Sequence, residues 1–513
     1  MSEPLFELIK SLDKTEKGYF KKFAGRYGSK TSEQDYLKLF DLLDKIDRYD
    51  EEKVKGYFAK AGKKFNLSAQ KNYLHEQLLR ALRSYASGKS VMYEITESYL
   101  DIQNLIDRGL THQALDLIME CQQKAVQIEN YEWLLNLKIQ EETLKLRMLG
   151  KYSMEEVNEV KQAIRKVLAN IADERTLSEL LFAIKLLDDE RGITEIATDD
   201  LMQRADILMQ HPLLQTPEKL GNRGRLLCYS IFHIYSAVKM DDLASLKYLK
   251  LVHDVYKHME LDVRTTYSYL ANVSNVIMTA LNVNDVAEAL HFLRVLEKQR
   301  FKDAALETYR KKVYAKNLLM YLLVNSLRGN TSEDVSAAEK HYLETNPEPA
   351  GNNNLMSSYY MAILFYGVNE PDKALEWFNK TAEHKKTSFL NVQAYSRILC
   401  AYIYYDLDSP SLVESTLQSA LYFIKKNNLP SNYLKQCVAL LNKLLDCPKG
   451  SETKTQLQRM YELITEMYGT ELRNENTYFH DLNLAVWCLA KLQAHSYGEQ
   501  LILENQKPEA VPA

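Results

Sequence analysis

Proline is scarce in this chain, and where it is missing matters more than how little there is. Of eleven prolines in 513 residues, none lies between Leu5 and His211. Proline breaks helix interiors, and turn-rich sheet proteins seldom run far without it, so such a gap favours continuous helix. Asn-Gly and Asp-Gly dipeptides are absent too, and no series of alternating strands can be traced. Cysteine is sparse: Cys121, Cys228, Cys400, Cys437, Cys447 and Cys488 form no Cys-x-x-Cys pair. That excludes a disulfide framework and zinc-finger spacing, and leaves small buried apolar side chains. The longest apolar stretches, residues 318–324 and 482–490 (the latter broken by Asn483), fall far short of the ~20 residues that cross a bilayer. No basic segment followed by an apolar one opens the chain, so the expected location is the cytoplasm.

Chemistry is missing as well. The phosphate-binding patterns Gly-x-x-x-x-Gly-Lys-Ser/Thr and Gly-x-Gly-x-x-Gly do not occur, nor does the nucleophile pattern Gly-x-Ser-x-Gly. No His-Glu-x-x-His is present; His253 and His258, five apart, point to different sides of a helix and are poorly placed to share a metal. His233, among apolar residues, reads as a core histidine. Carboxylate pairs such as Asp188 with Asp189 and Asp199 with Asp200 flank helix ends, where they favour the dipole. The expectation is a protein that is not an enzyme and needs no cofactor or metal.

What is present is helix. The first ninety residues carry 19 Lys and Arg against 13 Asp and Glu, so against a total of −4 the remainder carries −10. This segment breaks into short helices, one entered through the capping box Asp13-Lys-Thr-Glu16 and another with Ser68 as its N-cap. Lys14, Lys17, Lys21, Lys22, Arg26 and Lys30 interleave with Tyr19, Phe20, Phe23 and Tyr27. That row reads as a solvated face, with DNA, RNA or ribosome contact as the alternative. Residues 54–82 superficially suggest helix-turn-helix, with Gln70, Lys71 and Asn72 where a recognition helix would read bases.

From about Val91 the helices pair. Residues 100–108 and 113–129 form one pair, 131–149 and 154–170 another, and 177–189 and 199–210 follow. Two prolines and two glycines in 211–224 mark an internal boundary. Beyond it, Ser245, Ala289, Ala338, Ala374 and Val413 open successive second helices with a mean separation of 42. Such a period marks stacked helix pairs, none of which can bury its apolar face alone. The clearest pair is residues 356–383, joined by the turn from Gly367 to Asp372. The expected organisation is a basic helical subdomain over 1–90, degenerate hairpin repeats over 91–210, and clearer ones over 211–445. Capping helices over 446–497 and a frayed tail over 498–513 complete it.

Met361, Ala362 and Phe365 in the first helix of that pair, with Ala374 and Phe378 in the second, resemble the tetratricopeptide repeat. Gly109, Ala114, Ile118 and Cys121 are a partial match. The resemblance covers about 91–427 loosely, and the longer mean period also suits a HEAT-like array. It implies an all-α, right-handed solenoid of helical hairpins with a groove for a protein or peptide. In that groove the first helices would present Tyr359, Tyr366, Tyr395, Tyr402 and Tyr405. The Lys and Asn pattern with which some members of the family clamp a terminal carboxylate is not evident. The function expected is a non-catalytic scaffold for protein–protein interaction. The alternative is a regulator whose basic N-terminal segment touches nucleic acid or ribosome while the repeats sense or dock a partner. No membrane partner is expected.

Overall fold

The computed structural model describes residues 4–26, 33–59, 66–88, 90–148, 150–194, 199–345, 355–382, 390–429, 432–448, 450–470 and 483–506. Among them are 24 α-helices, three short 3-10 turns and no β-strand. No described helix is long and apolar enough to cross a membrane. The chain divides into two compact units, Met1–Ala183 with Gln210–Cys228 and His258–Asp262, and Ile184–Met209 with Tyr229–Lys257 and Val263–Ala513.

The first unit opens with α1 (Pro4–Ser11), α2 (Lys14–Arg26), α3 (Glu33–Lys45), α4 (Glu51–Ala59) and α5 (Leu67–Ala86). They close over the buried Ile9, Phe20, Leu39, Phe40, Leu74 and Leu78. The capping box forms as its spacing predicts. Asp13 Oδ1 accepts from the backbone N–H of Thr15 (2.6 Å) and Glu16 (2.7 Å), and Glu16 Oε2 from that of Asp13 (2.9 Å). At α5 the cap is Asn66, whose Oδ1 accepts from the Ala69 N–H at 3.1 Å, so Ser68 lies inside the first turn. The turn of the superficial helix-turn-helix, residues 62–66, lies outside the described residues except for Asn66.

Next come α6 (Val91–Asp107), α7 (Thr111–Gln127) and α8 (Tyr131–Arg147), each packed on its neighbour across a short turn. α9 then runs unbroken for 41 residues, Met154–Thr194, where the sequence reading placed a break between 170 and 177. No proline or glycine stands there. The hydroxyls of Thr176 and Ser178 bond carbonyls four residues back, at 3.0 and 2.8 Å, instead of competing with the helix.

The remaining helices are α10 (Asp199–Met209), α11 (Asn222–Val238), α12 (Asp242–Tyr256), α13 (Val263–Asn282), α14 (Val286–Lys298), α15 (Ala304–Asn325) and α16 (Ser332–Thr345). They continue as α17 (Leu355–Gly367), α18 (Pro371–Ala382), α19 (Leu390–Asp406), α20 (Pro410–Lys426), α21 (Asn432–Leu445), α22 (Ser451–Thr470), α23 (Leu484–Gln493) and α24 (Tyr497–Asn505). α9 belongs to the first unit through Ala183 and α11 through Cys228.

One turn recurs through the hairpins. A residue in the left-handed region ends the first helix, and the next residue's N–H reaches back five residues, the Schellman arrangement. Met240, Asn284, Asn369 and Asp408 hold this conformation at φ 58, 58, 61 and 50°. The bonds that follow are Asp241 to Ser236 (2.9 Å), Asp285 to Ala280 (2.8 Å), Glu370 to Phe365 (2.9 Å) and Ser409 to Tyr404 (3.0 Å). In the first unit Gly109 and Glu129 do the same.

The fourth residue of each second helix then enters the core. Ala114, Ser245, Ala289, Ala374 and Val413 are all buried, as their shared register predicts. At α16 the register residue is Val335, three positions before Ala338. Its N–H bonds Thr331 just as Ala289 bonds Asp285. The extra 3-10 turn Ser326–Arg328 ahead of α16 displaces the pattern. The repeat core Met361, Ala362, Phe365, Ala374 and Phe378 is fully buried. So are five of the six cysteines, and all six are free thiols.

Candidate partner-binding face

The five tyrosines assigned to a groove lie elsewhere. Tyr359, Tyr366, Tyr395 and Tyr402 are buried, and Tyr405 is half-buried. Tyr359 meets Phe378 edge-on at 5.9 Å, and Tyr395 packs on Tyr433 of α21. Tyr402 donates to the Cys437 carbonyl at 3.0 Å. Aromatic spacing of seven residues on a first helix fits a stripe facing the next hairpin as well as one facing solvent. Here the large rings fill the space between hairpins.

Three of these tyrosines gather around Asp406, at the end of α19. Its carboxylate accepts from the Tyr366 hydroxyl and from Trp487 Nε1 of α23 at 3.2 Å, and pairs with Lys491 at 2.7 Å. Trp487 is flanked by Tyr402 at 4.9 Å and Tyr405 at 5.8 Å, and Tyr366 by Tyr497 of α24 at 5.2 Å. Burial first, and then the Asp406 charge, push the Tyr366 hydroxyl well above the ordinary tyrosine range. The cluster ties α17, α19 and the C-terminal helices together.

The basic row at the N-terminus is partly neutralised. Lys17 pairs with Asp44 at 2.8 Å and Lys21 with Asp41 at 2.7 Å, both on α3. Lys14 and Lys22 are exposed; the Arg26 side chain and Lys30 lie outside the described residues. Lys71, from the candidate recognition helix, is held by Tyr49 and by Glu51 at 3.4 Å. Phe20 is core, so the interleaved aromatic that packs deepest is unavailable to a base.

His233 is half-buried, its Nδ1 2.8 Å from Ser245 Oγ and its pKa lowered by burial. His253 is more deeply buried, stacked on Tyr269 at 5.5 Å and edge-on to Phe292 at 4.9 Å. Among the described residues no group of three metal-ligating side chains comes together.

A different face emerges from the second unit. α13, α15 and α17, the first helices of three hairpins, pack side by side. Asn317 ties the first two, its Nδ2 donating to Ser274 Oγ at 2.9 Å and to the Val313 carbonyl at 2.8 Å. Tyr267 of α13 and Tyr309 of α15 meet edge to face at 4.9 Å and stay half-buried. Arg264 lies one turn from Tyr267; Lys312 and Lys316 lie one and two turns from Tyr309. All three cations are exposed. The sequence reading missed them because it weighed charge over large segments. Residues 294–316 hold eight Lys and Arg against three Asp and Glu, a local excess hidden inside a remainder of −10.

The described residues define an all-α protein of stacked helical hairpins. No protein-family model and no curated protein matches the sequence. Among solved structures, the chain is similar to the apo form of the quorum sensor NprR from B. thuringiensis. The two share 12% identity and a TM-score of 0.41 over 72% of this chain and 98% of that one. So loose a likeness assigns neither family nor activity.

Proposed function

We propose that this chain is a non-catalytic scaffold of the cytoplasm whose helical hairpins hold a protein or peptide partner. The observation that carries the proposal is the face of α13, α15 and α17. Half-buried tyrosines and exposed cations stand there on helices that also bury other residues against their neighbours. Rings that offer apolar area and a hydroxyl at little rotamer cost suit recognition better than they suit a solvent face. Rigid stacked helices also hold such a surface in fixed geometry.

The test is panning of random twelve-residue peptides, displayed on phage, against the intact chain with heat-unfolded chain as control. A shared motif whose synthetic peptide binds saturably is the expected result. Enrichment no greater than on unfolded chain would sink the proposal.

A further inference from the structure

Charge in the three hairpins α13–α14, α15–α16 and α17–α18 is sorted by helix. The first helices carry net +4 and the second helices net −3. α13 and α17 contain no carboxylate at all, and α15 contains only Glu307. That one is consumed internally. Arg310 grips it through two bonds, at 3.0 and 2.6 Å, and the Phe301 N–H adds a third at 3.2 Å. The Arg310 bonds hold the Glu307 carboxyl below the usual range. Arg310 is itself buried and also donates to the Leu296 carbonyl at 2.8 Å.

Arg264, Lys311, Lys312 and Lys316 are different. They are exposed, and none makes an ion pair among the described residues. Solubility alone is served by mixed charge, as on α14 and α18. A single-signed strip on a chain of net −4 instead creates a local field that draws the opposite sign.

Resting on the scaffold reading, we infer that this strip docks an acidic, extended polypeptide segment across α13 and α15. The Tyr267–Tyr309 pair forms the floor, with Arg264 on one side and Lys312 and Lys316 on the other. Packed helices lie about 8–10 Å apart and an extended chain advances about 3.3 Å per residue. The segment therefore places two carboxylates about three residues apart, with an apolar residue between them over the rings. A nucleic acid fits less well, because the two rings are turned edge to face on each other and do not offer successive open faces for bases.

The experiment measures fluorescence anisotropy with the full chain and three labelled probes. One is a nine-residue peptide with two aspartates three positions apart around a leucine. The others are its asparagine isostere and a single-stranded oligonucleotide. The same titrations are run on the double variant K312E/K316E, whose thermal melt confirms folding. The inference expects the aspartate peptide to bind, with at least a tenfold loss both for the isostere and for the double variant. Equal binding by the isostere, or unchanged affinity in the variant, overturns it. So does an oligonucleotide that binds more tightly than the peptide and loses affinity in the variant. If panned peptides bind while the aspartate peptide does not, the strip assignment fails and the scaffold stands. If no peptide of either kind binds, both fall.

Discussion

Met240 holds φ at 58° with its side chain largely exposed, a conformation that costs an L-residue about 1 kcal/mol and costs glycine nothing. Met240→Gly should therefore raise stability by about 0.5–1 kcal/mol, seen as a higher urea midpoint at unchanged slope. No gain would mean the exposed thioether contributes packing of its own. His253 makes an opposite demand. Burial first, and then Lys257, lower its pKa from 6.5 to about 4, and its Nδ1 has no hydrogen-bond partner among the described residues. Between these values the unfolded chain binds a proton that the folded chain refuses, so stability falls as pH drops from about 6.5 to about 4. Urea titrations across that window should lose up to about 3 kcal/mol from this group. His253→Phe, which keeps the ring stack, should flatten the profile. Neither site could be picked from sequence. A methionine two residues ahead of a helix and a histidine on an apolar face look ordinary until the turn and the stack form.

At the scale of elements, the C-terminal helices are fastened rather than trailing. α24 crosses α17 so closely that a Cβ on Gly498 would lie 2.0 Å from the Gly367 carbonyl oxygen. Asn505 donates to the Leu327 carbonyl at 3.1 Å. Asp406 joins α17, α19 and α23 through Tyr366, Trp487 and Lys491. Asp406→Ala would leave two buried donors and a cation without their acceptor, at a cost of about 2–4 kcal/mol. The expected sign is early tryptic cleavage after Lys491 with the far-UV helical signal retained. Protection equal to the parent's would show that packing alone holds α23. Residues 356–383 already read as a hairpin because its turn and small-residue register are local. The Asp406 cluster spans residues 366 to 497 and leaves no local trace. Nor does the continuity of α9, where weak cues suggested a break that residues 170–177, without proline or glycine, had no reason to make.

For the whole molecule, stability is distributed over short-range contacts between neighbouring hairpins and over two compact units. Calorimetry should then give a van't Hoff enthalpy below the calorimetric one, since such a chain need not unfold in a single step. A ratio of one would indicate coupling strong enough to make the whole chain one cooperative body.

Local physics determined much from sequence alone. The missing prolines gave helix, the recurring small or apolar residue near the start of the second helices gave the hairpin register everywhere but at α16, and the Asp13 box gave its cap. These signals lie within a turn or two of the residues they organise, and a linear reading reaches that far. Which side of a first helix faces its neighbour is a different kind of question. Tyr359, Tyr395 and Tyr402 became core while Tyr267, Tyr309, Lys312 and Lys316 stayed at the surface. That choice depends on how successive hairpins stack, and only the tertiary structure decides it, because burial belongs to the assembled pair of helices and not to either helix alone.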